Sequence, residues 1–202
     1  MDEGYIKFRL HWEEAPLVAG INYDDLMENR QLMYQHHLIG WDADLGVGYG
    51  NISKRFGKDS SEFIISGTQT GGKEKLTISD FCLVTDFAAA ANQLWCRGPI
   101  KASSESMTHA AIYTLGKKYQ AVIHIHNSKM WEYYFDRVPT TDPQAAYGTP
   151  EMARAIIELG KKGFNRETPL VVMGGHQDGI LAFGNNLSEV SHSILSHLDA
   201  LP

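Results

Sequence analysis

Cysteine is nearly missing from this chain: only Cys82 and Cys96 occur in 202 residues. They form no Cys-x-x-Cys pair, which excludes a disulfide scaffold and a thiolate zinc site. Both thiols read as bystanders in the core or on the surface, so any metal must rest on histidine and carboxylate. Clustered positive charge is missing too. The net charge is −6 with no basic run, so the electrostatic footprint of a nucleic-acid binder is absent. No apolar stretch approaches the ~20 residues that span a bilayer. The opening "MDEGYIKFRLHWEEAP" puts acids where a signal peptide needs a basic region and an apolar core. These absences predict a cytoplasmic protein with neither membrane nor nucleic acid as partner. Repeats, low-complexity tracts and Pro/Ser-rich linkers are also lacking, and 43% of residues are apolar. Residues 1–202 therefore read as one globular domain.

What is present mixes helix and strand signals without strict alternation. "NYDDLMENRQLMYQHHLIG" opens on a capping-type Asn22, has acids in its first turn and stops at Gly40, which predicts a helix. His36 and His37 near its end read as solvent-facing or placed at the C-terminal dipole. "DLGVGYGNISKRF" is glycine-dense before a short alternation, and "SEFIISGTQTGG" is a β-branched strand breaking into a small-residue loop. Further helices are predicted at "SSESMTHAAIYTLGKK", at "TPEMARAIIELGKKG" with Pro150 near its start and Gly163 past its end, and at "LSEVSHSILSHLDA". "QAVIHIH", "PLVVMGG" and "GILAFG" read as strands, the last two joined as a hairpin around "HQD". The pattern implies an α/β or α+β sheet covered by helices rather than a doubly wound one.

The strand "AVIHIH" carries the first chemical signal. Alternation puts Val122, His124 and His126 on one face and Ala121, Ile123 and Ile125 on the other. The two imidazoles then stand about 7 Å apart at Cα, near enough to converge on one ion. The plainer reading is one histidine packed in the core and one at its edge, each hydrogen-bonded. A third histidine, His176, follows another apolar strand and two glycines, with Asp178 nearby. Three histidines with an open position describe a catalytic rather than a structural zinc site. His109, His192 and His197 fall on helices and are expected to face solvent or to be satisfied locally.

Glu105 follows Ser103 and Ser104 at a predicted helix start, where free N–H groups and the helix dipole attract anions. The serines either cradle a phosphate there or simply cap the helix ahead of a first-turn glutamate.

Taken in order, "GNISKR", "FIISG" with "KLTISD", "SSESMTHAAIY", "AVIHIHNS", "YGTPEMA" and "GGHQDGILAFGNNLSEV" resemble the class II aldolase/adducin family over about residues 24–198. The resemblance implies an α/β fold in three layers (α/β/α), with a mixed, mostly antiparallel central sheet flanked by helices, commonly assembled as a homotetramer with active sites at subunit interfaces. It implies Zn2+ or another divalent metal ion on His124, His126 and His176, with Glu105 as the catalytic carboxylate. By the same resemblance a substrate phosphate is held at Gly50, Asn51, Ser103 and Ser104, and in "SGTQTGG" either by Ser66 with Gly67 or by Thr70 with Gly71. The implied activity is that of an aldolase-type lyase acting on a small phosphorylated ketose or related hydroxycarbonyl compound through a metal-stabilised enediolate. A sugar-phosphate dehydratase or epimerase of the same family is the alternative. Family epimerases carry aspartate where Glu105 stands, which favours cleavage or dehydration. A non-catalytic adducin-like interaction module is the alternative of another class, and such members lack the metal histidines. The chain departs from the family in reading "HQDG" after its third ligand strand, and no tyrosine follows Tyr147. A general acid must then come from Tyr147, Tyr113 or a neighbouring subunit.

Overall fold

The computed structural model describes residues 5–17, 20–164 and 169–202. The chain runs β1 (Arg9–Glu14), α1 (Asp24–Gln35), β2 (Gly40–Asp42), β3 (Val47–Tyr49), β4 (Asn51–Arg55), β5 (Phe63–Ser66), β6 (Phe81–Ala88), β7 (Gln93–Gly98), α2 (Ser106–Thr114), β8 (Ala121–His126), α3 (Ser128–Tyr134), α4 (Pro150–Lys162), β9 (Leu170–Val172), β10 (Gly179–Gly184) and α5 (Leu187–Asp199). Eight strands form one sheet in the order β1-β7-β6-β5-β4-β8-β10-β9, and β2 with β3 makes a separate hairpin. Every pairing in the large sheet is antiparallel except β1 with β7.

Both faces of the sheet are covered, which is why its central strands read as near-continuous apolar runs. On one face Val84, Val122 and Leu181 pack with Met107, Ala111, Met152 and Ile156 from α2 and α4. On the other, Ile64, Ile123 and Ile180 pack with Leu26 and Met33 of α1 and Val190 and Ile194 of α5. The fold is thus the three-layer, mostly antiparallel arrangement expected.

Local signals explain the helix ends. The Thr149 side chain accepts the Met152 N–H, Pro150 occupies the first turn of α4, and Gly163 closes it at φ 94°. Asn186 caps α5 by accepting from Glu189 N–H. The first helix differs from expectation. Tyr23 is its N-cap, Asn22 Oδ1 accepts the Asp24 N–H just before it, and the helix ends at Gln35 rather than Gly40. His36 and His37 are exposed past its end, where His37 turns left-handed at φ 56°, and Gly40 begins β2. Among the described residues no helix is long and apolar enough to cross a membrane.

Candidate metal centre

β8 lies between β4 and β10, with His124 opposite both Asn51 and Leu181, and His126 opposite Gly179. Its alternation delivers Val122, His124 and His126 to the α2–α4 face, while Ala121, Ile123 and Ile125 fill the other core. His176 reaches the same place from the turn between β9 and β10. The Gly179 N–H donates to its carbonyl, closing that turn, and Asp178 takes φ 66°. Gly174 and Gly175 lead into it against the carbonyls of Thr141 and Ala145, where a Cβ would lie only 2.2 and 2.0 Å from oxygen. The small residues ahead of His176 are therefore required by contact.

The three imidazoles present ligand atoms that all lie within 4.8 Å of one another. Their ring centroids are 4.7–5.1 Å apart. Glu105, 2% exposed, stands at the head of α2 with Oε1 3.7 Å from His176 Nδ1. Its other oxygen accepts the Thr108 hydroxyl at 2.6 Å, so one carboxylate oxygen is fixed and the other faces the histidines. Burial, and then the neighbouring His126, His176 and His109, hold the His124 pKa well below its usual value. Its imidazole is neutral, the form that ligates a metal.

These residues fit a divalent ion on an observation of their own. His124 Nε2 is fully buried with no hydrogen-bond partner, and so is Asn51 Oδ1. The Asn51 amide sits 3.4 Å from His124 Nδ1. Which amide atom faces a ring nitrogen is decided by the surrounding network. With Oδ1 turned to Nδ1, the amide accepts Nδ1–H and leaves the Nε2 lone pair for a metal. One ion would give His124 Nε2 the partner it lacks.

Of the other residues named from sequence, Gly50 and Asn51 adjoin His124, and the rest lie on the 66–71 loop and just ahead of α2. Gly50, at φ 74°, is pressed against the His124 carbonyl, 3.0 Å from where its Cβ would be. Ser66 Oγ accepts the Ile52 N–H, and Gly67 N–H donates to Asp80. Those two residues are committed to the sheet. Thr70 Oγ1 donates to the Gly67 carbonyl, while the N–H groups of Thr70, Gly71 and Gly72 find no backbone acceptor among the described residues. Gly67 also bridges Ala102, bringing this loop beside Ser103 and Ser104. Ser103 Oγ accepts the Glu105 N–H at 3.3 Å, but neither serine caps α2: Glu105 itself is the N-cap rather than a first-turn residue, and no side chain caps the helix.

Two expectations change. His109 neither faces solvent nor is fully satisfied. It is buried outright, its Nδ1 is 2.7 Å from Ser53 Oγ, Nε2 has no partner, and burial lowers its pKa to about 3. Tyr113 shares the same Ser53 hydroxyl at 2.7 Å, and burial pushes its pKa up, which makes it a poor proton donor. Sequence reasoning missed Thr108, though its spacing of three from Glu105 on a helix was a usable signal. It also missed Tyr49, packed 5.3 Å from His126, and Lys7, whose Nζ lies 3.7 Å over the Tyr147 ring. That ring in turn stacks on His176 at 4.6 Å. Nothing in the spacing of Lys7 or Tyr49 marks them.

A family model described as "Class II Aldolase and Adducin N-terminal domain" matches residues 30–198. No curated protein matches the chain. Solved structures do. An L-fuculose 1-phosphate aldolase aligns with TM-score 0.64 and 18% identity over 91% of this chain and 85% of that one. A sugar-phosphate aldolase from Thermotoga maritima aligns with TM-score 0.65 and 15% identity over 87% and 89%. An L-fuculose 1-phosphate aldolase from Glaciozyma antarctica aligns with TM-score 0.57 and 15% identity over 92% and 76%. At such identities the likeness is one of fold.

Proposed function

Since this chain belongs to the class II aldolase and adducin family, we propose that it is a divalent-metal-dependent lyase that cleaves a small phosphorylated ketose or related hydroxycarbonyl compound. The observation that carries this reading is the convergence of His124, His126 and His176 with the buried Glu105 carboxylate 3.7 Å from His176. A non-catalytic module has no use for a buried acid aimed at three ligand-type imidazoles, a costly arrangement to maintain without a task.

His124, His126 and His176 would hold the ion, zinc by the nitrogen-only donor set. When bound, such an ion supplies Lewis-acid polarisation of a ketone carbonyl and its neighbouring hydroxyl. Glu105 is the proton carrier. Thr108 fixes its Oε2, leaving Oε1 to exchange protons with substrate carbon or hydroxyl. In a cleavage, Glu105 takes the hydroxyl proton as the adjacent carbon–carbon bond breaks and its electron pair moves onto the ketone. Glu105 then returns that proton to the carbon left behind, ending as the carboxylate it began as. Gly50, Asn51, Ser103 and Ser104 are assigned to the substrate phosphate. The uncommitted N–H groups of the loop favour Thr70 with Gly71 over Ser66 with Gly67 for the same role. Tyr147, stacked on His176, walls the site. On this reading the enzyme works in the cytoplasm as a homotetramer.

The test is Glu105→Gln, assayed on a panel of ketose 1-phosphates for aldehyde release and for dehydration separately. The amide is nearly isosteric, so fold and metal content should persist while turnover drops about 10²–10⁴-fold. Wild-type turnover of any accepted substrate by that variant rules out Glu105 as the proton carrier.

A further inference from the structure

The large sheet ends differently at its two margins. At one, β9 has three residues and is covered along its outer side. The Val172 N–H donates to the Pro139 carbonyl, the Thr141 N–H donates to that of Val172, and Thr140 bridges Val172. At the other margin, β1 has six residues, no proline within it and an unbroken register with β7 from Arg9 to Glu14. The Arg9 N–H donates to the Asn92 carbonyl, and the Ala15 N–H donates to the Gly98 carbonyl. Successive residues of a strand turn their backbone groups to opposite sides, so the odd-numbered residues spend theirs on β7. Those of Leu10, Trp12 and Glu14 point out of the sheet, and among the described residues no backbone group meets them. An open edge of this length is a template for another strand.

The side chains of β1 decide which strand fits. Leu10 and Trp12 pack against the core on the α2–α4 side. Arg9, His11 and Glu13 point the other way by alternation, where the His11 ring lies flat on Trp95 with centroids 4.7 Å apart. Arg9 and Glu13 are exposed, and neither is in an ion pair among the described residues. Charge at an edge can simply repel strangers, but here it is self-complementary. Laid antiparallel on its own copy with His11 opposite the partner's His11, β1 sets Arg9 against the partner's Glu13 at both ends, and Leu10 against the partner's Trp12 on the other face. In that register the outward backbone groups of Leu10 and the partner's Trp12 donate to and accept from each other. A parallel copy would set Arg9 against Arg9 and Glu13 against Glu13, and a slip to the next same-face register loses both charge pairs. Like charges directly opposite destabilise a ladder.

We propose that the outer edge of β1 is a homodimerisation edge, at which two copies of this chain join antiparallel through the Leu10 and Trp12 backbones, held in register by Arg9 and the partner's Glu13, so that one sheet runs through both. The edge is set apart from His124 and His126 by the strands between β1 and β8, and the inference does not rest on the proposed activity.

The test is the solution mass of the zinc-loaded full chain by light scattering, for wild type, Arg9→Glu, Glu13→Arg, the double exchange Arg9→Glu with Glu13→Arg, and Leu10→Pro, with thermal melting and zinc content recorded for each. Either single exchange puts like charges opposite at both ends, so it should weaken association about ten- to hundredfold and halve the mass at a concentration where wild type is whole. The double exchange should regain the wild-type mass. Leu10→Pro removes an outward N–H and spares the bonds to β7, and it should also halve the mass at full zinc content. A monomeric wild type overturns the inference. So does an assembly whose mass none of these changes lowers, or a double exchange that stays dissociated. Should the exchanges not fold, a cross-link decides. Residues 11 of the two copies form a non-hydrogen-bonded pair with Cα atoms about 4.5 Å apart, within disulfide reach. Oxidised glutathione should therefore link His11→Cys into a covalent dimer on a non-reducing gel, while wild type, whose two cysteines are buried, stays unlinked. Absence of that dimer refutes the pairing.

Discussion

His109 shows how a single residue ties the site to the stability of the fold. It is fully buried beside Ser53, with a pKa of about 3 against an ordinary value of 6.5. Between those two values the unfolded chain binds a proton that the folded one refuses. The stability is therefore whole above pH 6.5 and is lost as pH falls toward 3, by at most about 1.4 kcal/mol per pH unit for this one group. Replacing His109 with Asn should flatten the acid limb of a denaturation-midpoint profile in that window, compared at the same metal loading. An unchanged slope would mean the imidazole is not held neutral. Residues also differ in how legible they are. The His-x-His pair announces itself through strand alternation, because period two is a property of the backbone. The outright buried Arg30 could have been found by the same logic, since it occupies the Leu26–Met33 stripe of α1 where an apolar residue belongs. Lys7 over Tyr147 joins residues 140 positions apart, a pairing that only the tertiary fold creates.

At the scale of elements, the turn between β9 and β10 is the most constrained device in the site. Gly174 and Gly175 run against carbonyl oxygens of the 141–145 segment, and Gly179 faces the His176 ring, 3.0 Å from its Nδ1 at the position of a Cβ. Gly175→Ala should force that segment and the hairpin apart at about 1–3 kcal/mol, the usual cost of overpacking. For a chain of this size that is a fall of several degrees in melting temperature, together with weakened metal binding as His176 moves. A variant that melts and binds metal as wild type does would show the contact to be slack. The helices α2, α4 and α5 and the strands β4, β5, β8, β9 and β10 were legible because caps, glycine stops and apolar runs mark them locally. The far half of the sheet was not. β1 has no fully buried residue and exists by pairing in parallel with β7, and β7 alternates over only six residues, Leu94 and Cys96 inward. α3 is seven residues long and takes its stability from Met130 and Tyr134 in the core. Elements made by their neighbours leave little trace in sequence.

For the whole molecule, the sheet serves as a frame that brings four separate segments to one end of β8: the Gly50–Asn51 turn, the Gly67–Gly72 loop, the head of α2 and the β9–β10 turn. Their separation in sequence explains why order and motif, more than local pattern, pointed to the site. The arrangement is worth its buried polar cost only if an ion joins the three imidazoles. Metal analysis of protein purified and loaded with zinc, compared with His126→Ala treated identically, asks that question directly. The account predicts one ion per chain in wild type and almost none in the variant, with both folded by circular dichroism. A wild type that retains no ion, or a variant that retains as much as wild type, would contradict it.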